Sequence, residues 1–396
     1  MSRLDELIAD LTSSRITRRQ FMQRAAALGL SVPMLSAAGG LTAFAQETKN
    51  KVSFMSPRGT LEVLDDYPYW VSLKMGYFGD IQTEMHPAIL QATSSSQAVA
   101  ENQGDMSYVS PGVFSLGVEA GVDLVSVWQM PSLDVFDIAL PKGNPQGITT
   151  LKDLEGKSVI LGDQGWSSIV DPMIAQAGGD PSKVKYASSG TTWGQTLASG
   201  QGDAALCWEG LRAQWKAGGL DFDYILGKDW SKFPSNSFQI RRSDFEDASL
   251  KDLYTNYLKG WAMGLEFGYH NPRAATQITM EVPEITKALN DTFKDKSVAV
   301  ESMWQLATVY RGNWETRQGW GWHDLDAWNL FLTTIKDIGQ LTKEIKAEDI
   351  IKNDYVAGGN DFDHDKVKAD ADGFQLSAEF AAAMDPKATP EATPTS

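Results

Sequence analysis

The sequence predicts an α/β protein of two similar lobes with a helical C-terminal part. Three observations carry this. First, the stretch Gly156–Gly210 alternates short apolar strands with helices. Strands are expected at Ser158–Leu161, Val184–Ser188 and Ala204–Trp208, with helices opening at Ser167-Ser168 and Thr191-Thr192 and stopping at Gly178-Gly179 and Gly200. Strand–helix repeats of this kind build a parallel sheet covered on both faces. Second, the stretch has an echo. Residues 93–112 (TSSSQAVAENQGDMSYVSPG) and 191–210 (TTWGQTLASGQGDAALCWEG) align without a gap at a constant offset of 98. The identities are Thr93/Thr191, Gln97/Gln195, Ala100/Ala198, Gln103/Gln201, Gly104/Gly202, Asp105/Asp203 and Gly112/Gly210. Third, Asp137–Leu140, followed by Pro-Lys-Gly-Asn-Pro, and Phe238–Arg241 read as an exit from one lobe and a return to it, a two-strand hinge. Matching strand ends facing each other make a cleft, and open α/β sheets bind ligands at the carboxyl ends of their strands.

The chain begins with an address. Thr17-Arg18-Arg19-Gln20-Phe21-Met22 fits the twin-arginine export pattern. Ala25–Ala38 is a mildly apolar run too short to span a membrane, and Ala43-Phe44-Ala45 is a cleavage signal. Residues 1–45 are therefore expected to be a twin-arginine signal peptide, and the product to be exported, soluble and periplasmic. No cysteine lies near the cleavage site, so no lipid anchor is expected there. The formal charge is −16; the first 45 residues hold five basic and three acidic side chains, so the remainder carries −18. So acidic a surface argues against nucleic acid and anionic lipid as partners.

The elements follow in order. Val52–Met55 reads as a strand, Leu61–Met75 as a helix made uncertain by Pro68 and capped by Gly76, Ile81–Met85 and Val122–Val127 as strands. Lobe one is expected to span 46–138 and 236–384, and lobe two 139–235. Ser243–Gly339 is helical by pattern, with breaks at Asn271-Pro272, Val282-Pro283 and Gly319–Gly321. Leu253, Tyr257, Trp261 and Leu265 recur at the spacing of a buried helix face. The Trp-rich stretch Trp304–Trp328 reads as core between helices. Residues 385–396, rich in Ala, Pro and Thr, read as a disordered tail.

Catalytic chemistry has little to work with. His86, His270, His323 and His364 form no H-x-x-x-H or H-E-x-x-H pattern, and His323 is expected at a helix cap or on the surface. The single cysteine, Cys207, falls in a predicted buried strand and rules out an intrachain disulfide. Gly165-Trp166-Ser167-Ser168 lacks the second glycine of a nucleophile elbow. Glycine-rich nucleotide motifs are absent. No catalytic residue, metal or cofactor is expected.

Binding groups are more visible. Ser94, Ser95 and Ser96, and again Ser167 and Ser168, place hydroxyls where helices should begin, which suits either plain capping or contact with a polar ligand. Tyr67, Tyr69 and Trp70 in lobe one, and Trp166, Trp193 and Trp208 in lobe two, cluster at element ends, in core or at a binding surface. Arg58, in the loop Ser56-Pro57-Arg58-Gly59, is the natural partner of an anionic group. Glu209 directly follows a predicted strand; it can accept from a ligand amine or hydroxyl, or pair with Arg212 one turn on. The candidate ligand set is Ser56, Arg58, Tyr69, Trp70, Ser94, Ser95, Ser110, Gln164, Trp166, Ser167, Thr191, Trp193, Trp208 and Glu209. A carboxylate among indole rings favours a cationic or N–H-bearing ligand group.

Read in series, the exported leader, the Gly76-Tyr77-Phe78 turn, the TLKDLEGKSV entry to lobe two, GQGDAAL before a Trp-acid pair and the EDIIKNDYVAGGNDFD end resemble a known family. It is that of the substrate-binding proteins of ABC importers for nitrate, sulfonates, taurine and thiamine-pyrimidine precursors. The likeness covers Lys51 to Phe374. It implies a hinged, two-lobed, type II periplasmic binding protein fold that closes on its ligand. It also implies a monomer that captures a small molecule of amine, sulfonate or heteroaromatic type and delivers it to a permease in the inner membrane. Two other roles fit the same resemblance: a ligand-binding sensor subunit, and an enzyme like the fungal pyrimidine synthases. The latter family depends on a cysteine-rich iron-binding motif, against the one cysteine here.

Overall fold

The computed structural model describes residues 50–58, 61, 63–87 and 92–388. The expected leader and residues 389–396 of the expected tail lie outside the described residues. Ten strands form two five-stranded mixed sheets. The first has the order β2 (Gln82–His86), β1 (Lys51–Met55), β3 (Met106–Val109), β10 (Ser237–Arg241), β4 (Leu124–Gln129). The second has the order β7 (Lys185–Ser188), β6 (Ser158–Leu161), β8 (Ala204–Trp208), β5 (Phe136–Pro141), β9 (Phe222–Leu226). In each sheet the strand that has crossed from the other lobe, β10 or β5, runs antiparallel to its neighbours. The second sheet starts at Phe136, slightly before the expected boundary at 139, because β5 pairs along its whole length with β8 and β9.

The echo is structural. Asp105 Oδ2 accepts the Ser53 N–H at 2.8 Å, and Asp203 Oδ2 accepts the Ser158 N–H at 2.8 Å. In both lobes the same Asp N–H donates back to the same serine carbonyl at 2.9 Å. The preceding glycines leave no room for a side chain: a Cβ on Gly104 would stand 2.4 Å from Met55, and one on Gly202 2.5 Å from Ile160. The repeated Gly-Asp thus fastens the start of each central strand, β3 or β8, to its neighbour, β1 or β6.

Side chains alternate across both sheets. Val52 and Phe54 enter one cluster of lobe one and Met55 the other; Val159 and Leu161 enter one cluster of lobe two and Ile160 the other. The C-terminal helices cover the first sheet. The helix Lys251–His270 buries Leu253, Tyr257, Trp261 and Leu265, and Trp261 meets Phe54 and Phe238 with ring centroids 5.2 and 4.8 Å apart. Helices end where expected at Asn271, whose side chain caps the next helix through Ala274 N. No helix of the described residues is long and apolar enough to cross a membrane.

Three expectations are corrected. The first helix starts at Tyr67, not Leu61, since Pro68 fits only a first turn. His323 is fully buried rather than at a cap or on the surface. Its imidazole lies between Ser126 Oγ (2.8 Å) and Asn353 Oδ1 (3.0 Å), while Asp324 caps the helix Leu325–Asp337. The start of the expected tail, Asp385–Ala388, forms a turn fastened by a Lys387 Nζ bond to the His270 carbonyl (2.9 Å) and an Arg273–Asp385 ion pair (3.4 Å).

Candidate functional site

The two segments that join the sheets, 130–135 and 231–236, bound a cavity between the lobes. It has a volume of about 740 Å³ counted to its open mouth. Lobe one contributes Pro57, Arg58, Asp65, Tyr108, Ser110 and Val113; lobe two contributes Trp166, Ile169, Leu206, Trp208 and Glu209. The joining segments add Val135 and Asn236, and the helix Lys296–Arg311 adds Leu306 and Tyr310. The wall is mostly aromatic and aliphatic, with few polar atoms, as in small-molecule sites.

Glu209 is held at the end of β8 by its own N–H, which donates to the Val135 carbonyl at 2.9 Å. The next residue, Gly210, has φ +85°, which turns the chain at once into the helix Leu211–Ala217. The carboxylate is fully buried. Its Oε2 accepts from Arg212 Nη2 at 2.5 Å, so the sequence alternative of an Arg212 pair is realised. Its Oε1 has no hydrogen bond but is ion-paired with Lys228 Nζ at 3.8 Å. Arg212 is shared with Asp137 at 3.2 Å. Burial, with Glu209 adding to it, drives the Asp137 carboxyl well above its ordinary range. Asp134, on the joining segment, is pushed up to about 6 by burial.

Arg58 lines the cavity with its charge already matched. Its Nη1 lies 2.9 and 3.0 Å from the Asp66 oxygens, and its Nη2 3.0 Å from Asp65 Oδ1. Burial works to lower the guanidinium, yet Asp66 and Asp65 raise it overall. Burial raises Asp66 in turn, against the pull of Arg58.

Of the residues expected from sequence, the structure brings together Arg58, Ser110, Trp166, Trp208 and Glu209 in the cavity wall. Ser110 also caps the helix Pro111–Glu119 through Val113 N at 3.4 Å. The others stand elsewhere. Ser56 is buried beneath the wall, where its hydroxyl accepts the Arg58 N–H at 3.3 Å. Tyr69 and Trp70 pack edge to face in the lobe-one core, drawn there by Phe78 and Trp261. Ser95 is buried inside its helix, which starts earlier, at Ala92, and the Ser94 side chain lies outside the described residues. Gln164 and Thr191 are exposed, and Ser167 is half-buried at the start of its helix. Trp193 stands behind the wall. It stacks on Trp208 (5.7 Å, 21°) and meets Trp166 edge-on (5.6 Å), and its Nε1 donates to the Leu206 carbonyl at 2.8 Å. Sequence reading missed Tyr108, Asn236, Leu306 and Tyr310. Tyr108 alternates with core residues on β3, and Tyr310 reads as core of a C-terminal helix; no local signal separates either from packing.

Comparison with known proteins then becomes informative. A family model described as "NMT1/THI5 like" matches residues 66–275, more than half of the 396 residues. The chain belongs to the NMT1/THI5-like family. Among curated protein sequences, none matches it. Solved structures share the fold. The alkanesulfonate-binding protein SsuA from Xanthomonas axonopodis pv. citri is 11% identical, with a TM-score of 0.56 over 77% of this chain and 98% of that one. The periplasmic nitrate-binding protein NrtA from Synechocystis PCC 6803 is 13% identical, with a TM-score of 0.54 over 83% and 99%. The ligand-binding component of an ABC-type import system from Staphylococcus aureus is 10% identical, with a TM-score of 0.57 over 77% and 97%. The NMT1/THI5-like chain is thus a two-lobed α/β protein of the periplasmic binding protein fold, and its cavity lies at the carboxyl ends of β1, β3, β6 and β8.

Proposed function

We propose that this chain is the solute-binding component of an ABC importer. It captures a small organic molecule of amine, sulfonate or heteroaromatic type between its lobes and delivers it to a permease in the inner membrane. The observation that carries the reading is a cavity between the lobes, walled mostly by aromatic and aliphatic side chains from both, with Arg58 and Glu209 among the residues that line it. A concave, mostly apolar cleft with a few convergent polar groups is the form that small-molecule sites take. The leader motif at Thr17–Met22 supports export through the twin-arginine route and a periplasmic location. The ionisable side chains in the wall are Arg58, Asp65, Tyr108, Glu209 and Tyr310. Solved structures that share the fold include transport binding proteins, which favours binding over catalysis. Among the described residues, no group of three His, Cys, Asp or Glu side chains could hold a metal ion.

The test is a thermal-shift and calorimetric screen of the purified protein against sulfonates, amines, pyrimidines and aromatic acids, with mass spectrometry of what co-purifies. At least one solute is expected to bind and raise the melting temperature. Turnover of a solute, with no stable binding of any, would overturn the reading.

A further inference from the structure

A second cavity lies among the C-terminal helices and shares no wall residue with the first. The helix Lys251–His270 contributes Glu266, Tyr269 and His270 from its last turn, and Arg311 ends the helix Lys296–Arg311. Trp314 and Arg317 come from the loop that follows, and His364 opens the helix His364–Asp372. Counted to its open mouth the cavity holds about 880 Å³, within the roughly 300–1,000 Å³ of small-molecule sites.

Its charges are unevenly matched. The one carboxylate of the wall, Glu266, is fully committed: Trp320 Nε1 donates to its Oε2 at 3.1 Å, and His364 Nδ1 lies 2.7 Å from the same oxygen. Burial works to raise the Glu266 carboxyl, yet His270, Trp320 and His364 hold it below its ordinary range. The two arginines have no such partner. Arg317 is 6% exposed and, among the described residues, joins no ion pair. Its Nη1 donates to the Tyr310 carbonyl at 2.5 Å and its Nη2 to the Gln129 carbonyl at 2.8 Å, while burial pushes the guanidinium down to about 9. A buried cation satisfied by carbonyls alone leaves a positive field with no counter-charge.

Arg311 is the group a ligand can reach. Its guanidinium lies 4.3 Å from the Tyr269 ring centroid and 5.1 Å from that of Trp314. These ring contacts position the cation without using its N–H groups. Among the described residues the Arg311 side chain donates no hydrogen bond and joins no ion pair, and its nitrogens, unlike Arg317 Nε, are not buried. Of the other polar groups, Trp314 Nε1 is a further unbonded and accessible donor. Asn360 is spent on the Trp320 N–H (2.8 Å) and on the Trp320 and Val356 carbonyls. Gln318, the Tyr269 hydroxyl and the two imidazoles serve as donors or acceptors. The accessible inventory therefore leans to donors, and its only fixed charge without a partner is positive.

We propose that this cavity is a second ligand site, for a small molecule bearing a carboxylate or phosphate group. The anion takes the free N–H fork of Arg311, the geometry that guanidinium offers to both groups. Trp314 Nε1 is the second donor, and the buried charge of Arg317 adds to the attraction.

The test is calorimetry on the native protein with inorganic phosphate, benzoate and benzyl alcohol. Phosphate and benzoate should each bind. Arg311→Gln should weaken both anions by at least about tenfold, the size of one hydrogen bond to a charged group, and leave any binding of benzyl alcohol unchanged. Arg311→Lys keeps the charge and loses the fork, so its affinity for the anions should fall between the two. Trp208→Ala, a change in the inter-lobe wall, should leave anion affinity as it was. Circular dichroism establishes that each variant is folded. The proposal is overturned if neither anion binds the native protein, or if binding survives both Arg311 variants and falls in Trp208→Ala. The solute-binding reading of the inter-lobe cavity stands in either case, since no wall residue is shared.

Discussion

Trp208 and Trp193 show how two neighbouring indoles acquire different duties. Trp208 presents its ring to the cavity, while Trp193 supports it from behind by stacking and by its bond to the Leu206 carbonyl. Trp208→Ala should therefore weaken solute binding by about 2 kcal/mol, as a buried aromatic anchor does. Trp193→Ala removes a packed ring and should cost about 3 kcal/mol of stability. Calorimetry and melting temperature separate the two; a Trp193→Ala protein that melts normally but binds poorly would place Trp193 in the wall after all. Asp203 gives a control at the same scale. It holds the Ser158 N–H and is not itself a wall residue, so Asp203→Ala should cost about 1–2 kcal/mol in denaturant unfolding and leave solute affinity unchanged.

At the scale of elements, the helix Pro111–Glu119 approaches lobe two closely. A Cβ on Gly112 would stand 2.7 Å from the Ser168 carbonyl oxygen, and its counterpart in the echo, Gly210, would meet Leu306 at 2.8 Å. Each copy of the repeat thus ends in a glycine set against the opposite lobe. The obstacle at Gly112 is backbone, which cannot rotate away, so Gly112→Ala should hold the lobes apart. It should weaken solute binding by about tenfold, or ~1.4 kcal/mol, with little change in the unliganded melting temperature. The segment before the helix Leu325–Asp337 carries a pH dependence. Burial lowers His323 to about 3, below its ordinary 6.5. The folded protein keeps the ring neutral where the unfolded chain would protonate it. Its contribution is therefore complete above pH 6.5 and falls as the pH drops toward 3. Acid denaturation midpoints of the native protein and His323→Gln should differ in that window, with the variant showing the shallower loss of stability below pH 6.5.

For the whole molecule, the lobes are already in contact around the cavity. Gln340 Nε2 reaches Asp171 Oδ2 at 3.1 Å, Gln305 Oε1 accepts the Gly210 N–H at 3.2 Å, and Ser302 Oγ donates to the Gly210 carbonyl at 2.8 Å. These hydrogen bonds are of the kind that a reversible closure can break. A solute that binds only the folded, closed form should stabilise it by about 2.7 kcal/mol at one hundred times its Kd. The radius of gyration from solution scattering should fall on saturation. An unchanged radius with a raised melting temperature would mean that closure does not depend on solute.

Much of this was legible in residue order, and for physical reasons. Strands β6 and β8, the capping glycine at Gly76 and the breaks between C-terminal helices follow from local chemistry: apolar alternation, a left-handed glycine, an Asn-Pro start. The Gly-Asp repeat announced two like lobes, and each copy makes the same bond to the strand beside it. Glu209 and Trp208 were legible because a strand end followed by Glu-Gly fixes where a side chain must emerge. What the sequence could not decide was which side of packed surface each aromatic residue would face. Tyr69 went to the core and Tyr310 to the cavity, although both look like interior residues of helices. Arg58, which alone reads as an anion site, is matched by Asp65 and Asp66 only because the turn before Tyr67 folds back on it. Charge balance and the identity of a wall are sums over residues distant in sequence, and only the tertiary structure performs that sum.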